Sequence, residues 1–146
     1  MKTFLWAAGL ALTTTIAAAA DTAVTYTVDQ DFDDVTFGLE SAITDKGLVI
    51  DAVSHVGAML ERTKEDVGSD VTVFERAEVY SFCSATISRK VMEVDPMNLQ
   101  FCPYGIFVMQ KPGEDSTTIG YRVMPEGAMK EVEAMLDEIV KEAIAE

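Results

Sequence analysis

The chain has 146 residues, 49% of them hydrophobic, with 25 acidic and 11 basic side chains and a formal net charge of −14 at pH 7. That length suits one domain with a core of its own. The acidity excludes nucleic acid and anionic membrane surfaces as partners, because binding either needs clustered Lys and Arg; its ordinary consequence is solubility.

Residues 1–20 read as a secretory signal: Lys2 opens it, Phe4 to Leu12 is apolar, and Ala18-Ala19-Ala20 offers a small-residue cleavage site before Asp21. Thr13-Thr14-Thr15 interrupts the apolar run, and a bilayer span needs about 20 mostly apolar residues. The absence of Cys at the cleavage point argues against a lipid anchor. The expectation is a periplasmic or secreted protein, free of the membrane after cleavage, whose single domain is 21–146. Cleavage removes Lys2 and no acid, so 10 basic against 25 acidic residues leave −15.

Val24, Tyr26 and Val28 alternate with Thr25 and Thr27, which predicts a half-buried strand. Asp31 can cap a helix in which Phe32, Val35, Leu39, Ala42 and Ile43 recur at helical spacing, and Gly47 can end it. The apolar run Leu48–Val53 predicts a central strand. A second helix begins near Ser54 with Val56, Met59, Leu60, Thr63 and Val67 inward, and ends at Gly68.

Asp70 to Glu75 reads as an extended connection and Ala77 to Phe82 as a strand. A third helix runs from about Ser84 to Val94, with Ile87, Val91 and Val94 inward. It stops at Asp95-Pro96, since the residue before proline avoids helical geometry. Ile106–Gln110 and Thr117–Val123 predict two antiparallel strands around a turn with Pro112-Gly113. The last helix spans about Glu126 to Ala145, with Met129, Val132, Met135, Leu136, Ile139, Val140 and Ala143 on its core face. The order β-α-β-α-β-α-β-β-α predicts a compact two-layer α+β domain with a mixed or antiparallel sheet.

No P-loop, G-x-G-x-x-G, H-E-x-x-H or EF-hand loop is present, so no complete catalytic motif points to an enzyme. His55 is the sole histidine. In a helix starting near Ser54 it shares a stripe with Met59 and Arg62 at i, i+4 and i+7. An imidazole, a thioether and a guanidinium on one stripe would suit a wall for a metal or a haem. Three readings of His55 stand: a structural or surface residue, an axial ligand to haem iron, or a ligand to copper or zinc. Arg62, Arg89, Lys90 and Arg122 draw notice because bases are scarce here, and guanidinium suits a propionate.

Cys83 and Cys102 lack C-x-x-C spacing. An exported chain permits a bridge between them, worth about 3 kcal/mol; free buried thiols and a redox pair are the alternatives.

The segments Ile50-Asp51-Ala52-Val53-Ser54-His55-Val56-Gly57-Ala58-Met59-Leu60, Phe82-Cys83-Ser84-Ala85, Met92-Glu93-Val94-Asp95-Pro96 and Phe101-Cys102-Pro103-Tyr104-Gly105-Ile106 resemble the domain of unknown function 302 family, its exported branch above all. The likeness runs from about Thr25 to Glu142. It implies a compact α+β fold and often a homodimer, with no enzyme activity established for the class. Exported members are associated with haem binding through a histidine. Carried over, that makes His55 the axial ligand to a non-covalent haem b, with Met59 and Arg62 as further contacts and copper or no cofactor as the alternatives. Haem binding in turn implies a gas-binding or redox role; the rival functions are a cofactor-free interaction module and a thiol redox protein. Cytoplasmic members usually carry Cys-Asn-Pro where this chain has Cys83-Ser84-Ala85, and Pro before the second Cys, whereas here Pro103 follows Cys102. Those departures separate this chain from cytoplasmic chemistry.

Overall fold

The computed structural model describes residues 22–145; the expected leader and cleavage site fall outside them. Five strands form one sheet: β1 Ala23–Val28, β2 Val49–Ser54, β3 Arg76–Cys83, β4 Tyr104–Gln110 and β5 Thr117–Arg122. Their spatial order is β1-β5-β4-β3-β2 and every neighbouring pair is antiparallel. Three helices connect strands, α1 Phe32–Asp45, α2 Val56–Thr63 and α3 Ala85–Val94, and α4 Lys130–Ala143 follows β5. The element order and α+β class agree with the sequence pattern, with the sheet wholly antiparallel.

Strand alternation decides which residues meet the helices. Register sets Val24, Tyr26, Ile119, Tyr121, Ile106, Val108, Tyr80 and Phe82 on one face. These pack with Val35, Leu39 and Ile43 of α1 and Val132, Leu136, Ile139 and Val140 of α4 into one core. The two helices cross closely at Gly38, where a Cβ would lie 2.2 Å from the Ala143 carbonyl oxygen. α1 ends as the sequence implies: Gly47 has φ +71, its N–H donates to Thr44 O (2.8 Å), and Leu48 N–H donates to Ile43 O (3.3 Å).

The opposite face carries Thr25, Gly120, Arg122, Gly105, Phe107, Val79, Ser81 and Cys83. Most of these are only half-buried.

Several expectations need correction. Leu48–Val53 contributes an edge strand rather than a central one, and Val49 is 72% exposed. α2 is shorter than expected and buries only Gly57, which lies against the Ala77 backbone; Met59 and Val67 face solvent. Val94 is exposed rather than inward. Asp31 stands at the N-cap of α1 but caps it without its side chain. The chain also forms an unforeseen 3₁₀ turn, Pro96–Phe101, capped by Asp95 Oδ1 accepting from Met97 N–H at 2.9 Å. α4 begins at Lys130, four residues later than expected, yet all seven of its assigned core residues are buried.

Candidate functional site

β2 delivers His55 to the N-cap of α2, where its carbonyl accepts from Met59 N–H at 3.0 Å. Its side chain caps nothing. Instead Nδ1 lies 2.9 Å from Glu78 Oε1, while the ring stays 64% exposed. A carboxylate can only accept, so Nδ1 is the protonated nitrogen and in the neutral ring Nε2 keeps its lone pair. Glu78 sits on β3 with its other oxygen, Oε2, accepting from Tyr80 O–H at 2.8 Å. Tyr80 is buried, and burial first, then the hydrogen bond to Glu78, drives its pKa well above the usual tyrosine range. The array runs inward from an exposed imidazole through a carboxylate to a buried phenol.

Beside it lies a hollow of about 450 Å³, bordered by His55, Gly57, Ala58, Glu61, Thr72 and Glu78 among others. Glu75 also reaches it, so its charge is dominated by carboxylates; Arg76, its one cation, pairs with Asp33 at 2.6 Å and stacks 4.2 Å from the Phe32 ring centroid. Met59 and Arg62 do not border this hollow. Both are exposed on α2, and Arg62 has no carboxylate of the described residues within 4.0 Å. His55 precedes the helix and turns to Glu78, so the expected stripe with Met59 and Arg62 does not form, and of the three only His55 borders the hollow. Among the described residues no group of three or more His, Cys, Asp or Glu side chains is arranged to hold a metal ion.

The cysteines converge from separate elements. Cys83 ends β3, and Cys102 follows the 3₁₀ turn two residues before β4, the neighbouring strand. Both are free thiols and both are half-buried. Burial, followed by a hydrogen bond with Cys102, pushes the Cys83 thiol up to about 12. At neutral pH it is therefore a thiol and a weak nucleophile.

A cavity of about 970 Å³ opens on the sheet face away from α1 and α4. Val79, Phe107, Phe101, Pro103 and Met124 give it an apolar lining; Cys102 and Arg122 border it.

Nothing local in the sequence announced Glu78 or Tyr80 as partners of His55. The available signal was alternation: Glu78 shares the face of Tyr80 and Phe82, so a carboxylate had to be accommodated at the margin of the core.

A family model described as "Domain of unknown function DUF302" matches residues 24–146. No curated protein matches the chain. Among solved structures, an uncharacterized conserved DUF302 protein from Bacillus stearothermophilus is similar: 19% identity over 85% of this chain and 88% of that one, with a TM-score of 0.57. At that identity the likeness is one of fold.

Proposed function

The chain belongs to the DUF302 family, and we propose that it is an exported ligand-binding protein that takes haem b without a covalent link, with His55 as axial ligand. The observation that supports this is the 2.9 Å contact between His55 Nδ1 and Glu78, in a ring that remains exposed. Metal-bound histidines characteristically donate their other ring N–H to a carboxylate, which fixes the tautomer and raises the basicity of the donor nitrogen. Tyr80 holds that carboxylate in turn.

The donor atom fits the group; the adjoining hollow does not enclose it. The hollow is small and carries Glu61, Glu75 and Glu78, which repel propionates. Of the side chains on α2, Arg62 would be the cation to hold a propionate and the Met59 thioether could pack against the group. A second protomer completing the site belongs to the same proposal. Bound haem would supply an iron centre for gas binding or electron transfer; the protein's own part is to orient one nitrogen and provide one cation. Copper on the same nitrogen is the alternative.

A haem titration tests this directly. Apo-protein should show a saturable Soret shift. His55→Ala should abolish or strongly alter it, Glu78→Gln should weaken binding about 10-fold or more, and far-UV circular dichroism should be unchanged in both. Absence of saturable binding by the wild type would refute the cofactor; identical binding by His55→Ala would refute the ligand.

A second reading, a thiol pair, is favoured by the placement of Cys83 at the end of β3 and Cys102 just before β4, the strand beside it. The raised Cys83 pKa favours a slow, structural dithiol over a catalytic one. Thiol titration before and after unfolding, with peptide mapping, separates bridged from reduced protein.

A further inference from the structure

We propose that the groove on the open face of the sheet is a second binding site, taking a small amphipathic organic anion whose apolar body lies on Val79 and Phe107 and whose head group meets Arg122. The inference is independent of haem binding, since His55 does not border this groove.

Charge is the first argument. This chain carries 25 acids against 11 bases, and nearly every cation among the described residues has a carboxylate within 4.0 Å. Arg62 and Arg122 are the exceptions. Arg122 is exposed, and among the described residues it is the one charged side chain at the groove. An unpaired guanidinium beside apolar surface, in a protein rich in carboxylates, is complementary to an anion from outside.

Shape is the second argument. A volume near 970 Å³ lies at the upper end of small-molecule sites, roughly 300–1,000 Å³, which are typically apolar with a few polar groups. Glycines shape the floor: Gly105 borders the groove, and Gly120 lies against the Phe107 ring that lines it. At Gly120 a Cβ would come within 2.8 Å of the Phe107 ring and 2.4 Å of Val24 O, so only glycine lets that ring lie across β5. At Gly105 a Cβ would touch only Val79 Cγ1, at 3.6 Å. The floor there is open by the absence of a side chain, and one could be added without moving the backbone.

A second copy of the chain is the rival occupant. It would bring a second strongly acidic chain toward the first, which opposes self-association unless a specific contact overcomes it.

The test is calorimetric titration of wild-type protein with dodecanoate, with dodecanol and dodecyltrimethylammonium as neutral and cationic controls. Saturable one-to-one binding of dodecanoate is expected, with both controls weaker. Arg122→Gln should weaken it by roughly 10- to 100-fold, as expected for losing hydrogen bonds to a charged group, and Arg122→Lys should restore part of it. Gly105→Leu should block binding while circular dichroism stays native, and His55→Ala should leave it intact. No binding by the wild type, equal binding of dodecanol, or indifference to Arg122→Gln would overturn the proposal. So would sedimentation showing a dimer that Gly105→Leu dissociates, which would assign the groove to a second copy.

Discussion

Asp137 ties α4 to the far edge of the sheet, and replacing it measures that tie. Its Oδ1 accepts from Tyr26 O–H at 2.6 Å and from Tyr121 O–H at 2.8 Å, and Oδ2 accepts from Lys141 at 2.7 Å. The contributions differ. Lys141 is mostly exposed, so solvent screens its pair and it contributes little. Tyr26 is half-buried and can turn to water. Tyr121 is buried, and stranding its hydroxyl costs about 1–3 kcal/mol. Asp137→Ala should therefore destabilise by about 2–4 kcal/mol, and Asp137→Asn, which keeps an acceptor, by about 1–2 kcal/mol. Burial alone would raise the Asp137 pKa, but the hydrogen bonds from Lys141, Tyr26 and Tyr121 outweigh it and the net shift is downward. A depressed folded pKa gives stability that is present above the unfolded value, about 3.9, and is lost as pH falls through the folded value. Urea unfolding of wild type and Asp137→Asn should thus show a gap that is full at pH 7 and narrows below about pH 4. A gap of constant size down to pH 2 would refute the assignment of charge-assisted bonds.

Other outcomes follow from packing and chemistry. Gly38→Ala and Gly120→Ala should each lose about 1–3 kcal/mol in urea unfolding, because both new methyls meet backbone oxygen, whereas Gly105→Ala should stay within about 0.5 kcal/mol. Leu136→Ala, in the core of α4, should cost about 2–5 kcal/mol. Reduced native protein should alkylate slowly at Cys83 near pH 8 and quickly once unfolded; equal rates would contradict the burial of that thiol. Exported protein should begin at Asp21 by mass spectrometry.

What could be read from the sequence was what depends on neighbours along the chain. The seven core residues of α4 repeat at three and four, and all seven are buried. Gly47 ended α1 because a left-handed residue was needed there. Sheet order, by contrast, is set by pairings between distant segments. The run Leu48–Val53 looks doubly buried, yet β2 has only β3 beside it and Val49 faces water. α2 misled for the same reason: whether its apolar residues are covered depends on what packs over them. The site divides along the same line. His55, Arg122 and the two cysteines were noticed for their scarcity, while Glu78 and the groove arise from register across β3, β4 and β5.

The strand order also constrains when this chain can fold. β1 lies at the sheet's edge and among the described residues pairs with β5 alone, roughly ninety residues on, so a large loop must close before the pair forms. During synthesis, at about 5–20 residues per second, β1 has no template until Arg122 has been made, and α1 has no α4 to cross until later still. The first strand to emerge is among the last to be secured. A nascent chain of this topology stays open along most of its length, and a truncation before β5 should give protease-sensitive polypeptide rather than a smaller domain.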